Sequence, residues 1–235
     1  MEFYDNQNFD GLKFLSQIKT HPMLAEPCSE FLYIINQLKS SSIPRSITVA
    51  EIGIGYGATA LQVLKMLGKD DVYYCFDFDD TLNDFAEDLQ ARDFGIKCEV
   101  VTAGNSHREW DSYNWNLSEI VLQMRKQHKK GIFDAVYLDG AHTLLHDGLA
   151  VCLLKELLKD GGFLILDDLF WSYSISTSAK SLGWDKFMPK KQADSQQIFR
   201  VQELFLINDS NFENLSPPQA TRGIFRKKEN EVYNR

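Results

Sequence analysis

The sequence predicts an α/β fold: a doubly wound, mostly parallel seven-stranded sheet, closed by an antiparallel terminal hairpin and preceded by an N-terminal helical extension. Three observations support this. Short apolar runs alternate with stretches of helical period, and that alternation gives parallel strands joined by right-handed crossovers. The run Thr48–Ile52 leads through Gly53-Ile54-Gly55-Tyr56-Gly57 directly into a helical pattern, the strand–turn–helix start of open α/β sheets. After Asp168 the rhythm changes, and two strand-like runs follow without a full helix between them.

Taken in order, residues 1–45 read as polar turns alternating with amphipathic helix. Phe31, Leu32, Ile34, Ile35 and Leu38 keep helical spacing, and Ser40-Ser41-Ser42-Ile43-Pro44 ends that helix. Strands are expected at 47–52, 72–76, 97–102, 134–138 and 162–166, with helices at about 58–68, 81–92, 116–129 and 143–159. In the last helix Leu145, Leu149, Leu153 and Leu157 form one i, i+4 row, and Asp160-Gly161-Gly162 reads as its stop. Phe170 to Gln197 has no clean period. Val201–Ile207 and Gly223–Arg226 read as the hairpin strands, around the turn-rich Asn208–Pro218. The expected boundaries are an extension over 1–45, one domain over 46–228 and a tail over 229–235.

A chain of 235 residues, 44% hydrophobic and 25% charged, can bury one sizeable core. Its net charge of −8 gives no general attraction to nucleic acid or to an anionic membrane. The basic clusters at Arg125-Lys126, Lys129-Lys130 and Arg226-Lys227-Lys228 read as solvated. No apolar run approaches the ~20 residues of a bilayer span. The N-terminus lacks a signal-peptide plan, and the four cysteines show no metal spacing. A cytoplasmic protein with a small-molecule partner, and with neither nucleic acid nor membrane, is the expectation.

In open α/β sheets ligands bind beyond the carboxyl ends of the strands, so those positions carry the chemistry. The first run passes from Glu51 into the glycine turn, where N–H groups can approach a ligand with no Cβ in the way. The second ends in Phe76-Asp77-Phe78-Asp79-Asp80, a carboxylate placed to accept two hydrogen bonds from a ribose diol. The third ends in Gly104-Asn105-Ser106, small and polar enough to border a base ring. The fourth ends in Asp139-Gly140-Ala141-His142 and the fifth in Asp167-Asp168. A strand-end Asp can also cap the following helix, but carboxylates at the second, fourth and fifth strand ends favour a site.

This ordered set of strand ends, together with Lys159-Asp160-Gly161-Gly162-Phe163-Leu164-Ile165-Leu166-Asp167-Asp168, resembles the class I S-adenosylmethionine-dependent methyltransferases. Within them it is similar to the small-molecule O-methyltransferases related to catechol and macrocin O-methyltransferases and to the cephalosporin-hydroxylase-like proteins. The resemblance covers roughly residues 25–228 and accommodates the terminal hairpin. It implies that Gly53, Gly55 and Gly57 line the methionine part of S-adenosylmethionine, with Glu51 and Thr59 near its amino and carboxylate groups. It implies that Asp77 holds the ribose hydroxyls, with Asp79 in reserve, and that Asn105 and Ser106 flank the adenine. It implies that Asp139 borders the cofactor and joins Asp167 and Asp168 in holding Mg²⁺. Catechol-type enzymes have Asp-Asn where this chain has Asp167-Asp168.

Chemically, carboxylates ending adjacent strands ~4.8 Å apart can share one hard cation. A cation on the acceptor oxygen would lower its pKa and aim it at the sulfonium methyl. His142 stands where those enzymes have a catalytic lysine, and it is the candidate general base beside Asp139. An Asp139–His142–His146 metal set is a further arrangement, since two histidines at i, i+4 can share a cation. Phe170, Trp171, Tyr173, Trp184 and Phe187 read either as a lid over the acceptor or as packing. Trp110, Tyr113 and Trp115 line the same mouth or form the contact of a homodimer. Competing functions are an NAD-dependent oxidoreductase, which leaves Asp167-Asp168 unexplained, a non-catalytic S-adenosylmethionine-binding protein, and methylation of protein or nucleic acid. No Asn-Pro-Pro-Tyr-like strand end supports the last, and the acidity disfavours nucleic acid.

Overall fold

The computed structural model describes residues 26–41, 45–91, 94–181 and 183–229. Most of the expected N-terminal extension, the residues Ser42-Ile43-Pro44 and the end of the tail lie outside them. The elements in order are α1 (Ser29–Lys39), β1 (Thr48–Ile52), α2 (Ala58–Met66), β2 (Val72–Phe78), α3 (Asp79–Ala91), β3 (Glu99–Asn105), α4 (Tyr113–Lys126), β4 (Phe133–Leu138), α5 (Leu144–Leu157) and β5 (Leu158–Leu166). Then come α6 (Thr177–Ser181), a 3-10 turn at Trp184–Lys186, α7 (Lys190–Ala193), α8 (Gln197–Phe205), β6 (Phe212–Asn214) and β7 (Gly223–Lys227). The strands form one seven-stranded sheet in the order β3-β2-β1-β4-β5-β7-β6, the expected Rossmann-like arrangement. The order reverses at β1, the kind of switch point at which open α/β sheets bind ligands.

Two compact units make up the chain: Met1–Asn116 with Phe133–Val136, and Leu117–Ile132 with Tyr137–Arg235. In the first, β1 and β2 pair in parallel from Thr48↔Val72 to Ile52↔Phe76. β2 and β3 pair up to Asp77↔Gly104 and Phe78↔Asn105, which sets the ends of those two strands side by side. Both strands of the β2–β3 pair run further than their apolar stretches suggest, because the ladder continues through Asp77 and Asn105.

Two buried aspartates pin the amino ends of the strands in this unit. Asp71 accepts the Ile47 and Gly68 N–H groups at 2.9 and 2.6 Å and pairs with Lys39 at 2.6 Å. It thereby ties the end of α1 and the loop after α2 to the start of β1. Burial alone would raise its pKa, but Lys39 and the two N–H groups outweigh that and hold it below the usual carboxylate value. Asp134 does the same for β4, accepting the Thr48 N–H at 2.8 Å and pairing with Arg45 at 2.7 Å.

In the second unit β5 and β7 are antiparallel, with Leu166↔Gly223 and Phe163↔Arg226 in register, and β6 adds to β7 through Phe212↔Lys227. Two expectations are corrected here. Residues 201–207 are not the first hairpin strand, since α8 runs from Gln197 to Phe205 and the hairpin partner is the short β6. Gln197, Ile198, Val201 and Gln202 are buried on one face at helical spacing, a pattern that begins at the last residue of the stretch that reads as aperiodic. That helix packs on α5, where a Cβ on Gly148 would come 3.1 Å from the Phe205 ring. The second correction is the end of α5, which stops at Leu157, so that Asp160-Gly161-Gly162 lies within β5. A side chain from β7 does the capping instead: Lys227 Nζ donates to the carbonyls of Lys155 and Leu158 at 2.9 and 2.8 Å.

Replacing Asp71 with alanine leaves two buried N–H groups without an acceptor, and urea unfolding should show a loss of about 2–3 kcal/mol. The neighbouring Asp70→Ala should change stability by less than about 0.5 kcal/mol.

Candidate active site

In the first unit the carboxyl ends of β1, β2 and β3 gather one set of the expected residues. Gly53, Gly55 and Gly57 all take left-handed backbone, at φ 84°, 50° and 75°, which side-chain-bearing residues rarely adopt. The Gly53 N–H donates to the Phe76 carbonyl at 2.8 Å and the Gly55 N–H to Asp77 Oδ2 at 2.9 Å, so the turn is fastened to the end of β2. Asp77 Oδ1 accepts the Phe78 N–H at 2.7 Å. The Ile54 backbone and the Thr81 side chain also hydrogen-bond this carboxylate. Burial raises the Asp77 pKa despite those N–H groups.

Other expected residues of this set are engaged by the protein. Glu51 is buried and accepts the Tyr73 hydroxyl at 2.6 Å, and burial followed by the Glu51 charge raises the Tyr73 pKa well above normal. Thr59 Oγ1 accepts the Cys28 N–H at 2.9 Å and so holds the chain entering α1. Asp79 lies against Gly104, where any Cβ would overlap its carboxylate. Asn105 is buried at the end of β3, while Ser106 gives both its N–H and its hydroxyl to Asp111 at 2.7 Å. Beside them the exposed Phe78 ring stacks on His107 at 4.1 Å.

In the second unit the ends of β4 and β5 bring together Asp139, His142 and Asp168. Ligand atoms of these three lie within 4.8 Å of one another. His142 Nε2 is 3.1 Å from Asp139 Oδ1 and 3.4 Å from Asp168 Oδ2; the nitrogen is buried and makes no well-formed hydrogen bond among the described residues. His142 and Asp168 both have left-handed backbone, at φ 55° and 53°. Such strain in non-glycine residues concentrates at functional sites. Directly after His142, Thr143 caps α5: its Oγ1 accepts the His146 N–H at 3.1 Å, and its own N–H donates to Asp147 at 2.8 Å. His146 Nδ1 lies 2.8 Å from the Thr143 hydroxyl, so this histidine belongs to the cap and stands outside the cluster.

Asp167, the third expected metal carboxylate, also stands outside the cluster. It accepts the Tyr137 hydroxyl, pairs with Arg222 Nε at 2.8 Å and accepts the Asp168 N–H at 2.9 Å. The β5–β7 register explains Arg222, because pairing Leu166 with Gly223 sets the preceding residue opposite Asp167. Tyr137 also reaches Asp139 at 3.4 Å. Neither Tyr137 nor Arg222 is recoverable from motifs, since one is an inward strand residue and the other follows a turn. The aromatic cluster divides in two. Trp171 lies 4.9 Å from the His142 ring and Tyr173 donates to the Ala141 carbonyl, whereas Phe187 is 83% exposed and unpacked.

Electrostatics follow from this crowding. Burial would push the His142 imidazole down, but Asp139, then Asp147 and Asp168, outweigh it and hold its pKa up at about 9. Burial pushes Asp168 up to about 6, against the opposing pull of His142. Burial and the Asp139 charge raise Asp167 despite Arg222 and Tyr137. In the absence of a metal the cluster is therefore an imidazolium held between two carboxylates.

With this geometry in place, comparison with known proteins is informative. A family model described as a methyltransferase domain matches residues 50–169, which run from the end of β1 to just past Asp168. The chain belongs to that methyltransferase-domain family. No curated protein sequence matches it. Among solved structures it is similar to the O-methyltransferase TomG of Streptomyces achromogenes, solved with S-adenosylmethionine, at 14% identity and TM-score 0.58, covering 97% of this chain and 91% of that one. It is also similar to the S-adenosylhomocysteine-bound methyltransferase PaMTH1 of Podospora anserina, at 15% identity and TM-score 0.54, covering 94% and 88%. An O-methyltransferase family protein of Burkholderia thailandensis matches at 16% identity and TM-score 0.50, covering 96% of this chain, which spans only 60% of that one. At such identities the likeness is one of fold: this methyltransferase domain has the class I, Rossmann-like architecture. Among the described residues no helix is long and apolar enough to cross a membrane.

The raised His142 pKa makes stability depend on pH in a definite direction. The folded value, about 9, lies above the ordinary 6.5, so the ion-pair stabilisation is complete below pH 6.5 and is lost as pH rises through 9. Urea unfolding between pH 6.5 and 9.5 should show a decline on the order of 1–2 kcal/mol, and His142→Gln should flatten it. Asp168 titrates below this window and does not contribute to it.

Proposed function

We propose that the protein transfers the methyl group of S-adenosylmethionine to a hydroxyl of a small molecule, with a divalent cation held at Asp139 and Asp168. The observation that carries this reading is the Asp139–His142–Asp168 cluster at two strand ends of a methyltransferase-family chain. Hydride transfer to NAD would leave that cluster without a task. The glycine turn and Asp77 suit the donor: left-handed glycines present N–H groups, and Asp77 sets a carboxylate beside them at the end of β2 for the ribose hydroxyls. Two structural neighbours bind S-adenosylmethionine or S-adenosylhomocysteine, and several are named O-methyltransferases, which supports the same donor and acceptor class here.

The donor set fits a divalent cation. Asp139 and Asp168 are carboxylates from neighbouring strand ends, the hard oxygen ligands that a divalent cation would take. When bound, the cation would acidify and orient the acceptor hydroxyl. His142 Nε2, buried beside both carboxylates, would accept the hydroxyl proton. The acceptor oxygen then attacks the methyl carbon as the carbon–sulfur bond breaks, and S-adenosylhomocysteine leaves as a neutral thioether. Asp167, neutralised by Arg222 and Tyr137, positions Asp168 through its backbone N–H.

Calorimetry should show binding of S-adenosylhomocysteine and none of NAD. Asp77→Ala and Gly55→Val should each weaken that binding by about tenfold or more through lost hydroxyl acceptors and a strained turn. In a screen of acceptors with tritiated cofactor, EDTA should abolish turnover and Mg²⁺ or Mn²⁺ restore it. His142→Ala should lower kcat by roughly 10²–10⁴-fold. Full turnover in EDTA would remove the cation from the mechanism, and absence of S-adenosylhomocysteine binding would remove the whole reading.

A further inference from the structure

The second unit holds a cavity of about 830 Å³, within the range of small-molecule sites. Its wall includes Thr143 and Leu144, the two residues that follow His142 in the chain. Leu144, Leu145, Phe187 and Met188 supply apolar surface. Leu145 and Phe187 are 72% and 83% exposed, large side chains without protein cover of their own. Gln197 braces the floor: its Oε1 accepts the Leu144 N–H at 2.8 Å and its Nε2 donates to the Gln192 carbonyl at 3.2 Å.

Lys191 and Arg200 also line this cavity, and no carboxylate does among the described residues. The adjacent Lys190 takes Asp194 as its partner at 2.5 Å, whereas neither Lys191 nor Arg200 forms an ion pair among the described residues. The cavity is thus cationic in a chain whose net charge is −8. A guanidinium and an ammonium without counter-charge on an otherwise apolar hollow match a ligand with an apolar body and one anionic group, and Arg can grip a carboxylate through two parallel bonds.

We infer that this cavity holds the methyl acceptor and that Lys191 and Arg200 recognise a carboxylate or similar anion on it, so that the acceptor is a small hydroxylated acid. This rests on the methyl-transfer reading above. The apolar walls take the body of the acid and the two cations fix its charged end.

The test is calorimetry on the full chain saturated with S-adenosylhomocysteine, titrated with matched acids and primary amides: 3,4-dihydroxybenzoate, 4-hydroxycinnamate and 3-hydroxydecanoate, each against its carboxamide. At least one acid should bind about tenfold more tightly than its amide. Lys191→Met and Arg200→Met should each bring that acid to within about threefold of its amide while leaving the affinity for S-adenosylhomocysteine unchanged, which also shows that the variants are folded. Equal binding of acids and amides, no binding of any acid, or a preference that survives both substitutions overturns the inference. Failure to bind S-adenosylhomocysteine overturns the underlying methyl-transfer reading instead, so the two failures are told apart in the same instrument.

Discussion

Neutralising buried negative charge is the constraint around which the second unit is organised. Asp139, Asp167 and Asp168 sit at the ends of two neighbouring strands, where burial raises the cost of ionising Asp167 and Asp168. The protein meets that cost in two ways. Asp167 receives a tyrosine hydroxyl and a guanidinium from fixed positions of the fold and is committed to structure. Asp139 and Asp168 lie beside the His142 imidazolium, a charge that can leave. The division separates a permanent ion pair that holds the backbone from an exchangeable one that can yield to a cation or a substrate.

The same logic runs through the first unit with a different division. Asp71 and Asp134 are saturated by backbone N–H groups and a basic side chain at the amino ends of the strands. At the carboxyl ends Asp77 accepts the Gly55 and Phe78 N–H groups. Carboxylates at the amino ends of the strands thus carry a basic partner, and Asp77 has none among the described residues.

The five parallel strands and the glycine turn were legible in the sequence because apolar runs bounded by glycine and aspartate report strand ends directly. The cluster was legible in its residue types, as Asp139, His142 and Asp168 each close a run, but not in its membership. Asp167 and Asp168 are adjacent and chemically identical in sequence; only the β5–β7 register, which brings Arg222 opposite Asp167, tells the structural carboxylate from the available one. The left-handed backbone at His142 and Asp168 has no sequence mark comparable to a glycine. Helix α8 was misread for a physical reason too: Val201 to Ile207 is apolar enough to pass for a strand until the buried face is followed back to Ile198. The end of α5 was hidden because its carbonyls are satisfied by Lys227, a residue distant in the chain.

The Arg222–Asp167 pair bears on how the molecule is made. A ribosome emits β4 and β5 well before the turn that carries Arg222, so a growing chain displays the acidic strand ends while their permanent counter-ion is still unsynthesised. β5 also waits for β7 along the same edge. The unit can settle into its native form only after translation has passed residue 222, which couples maturation of the acidic centre to late synthesis.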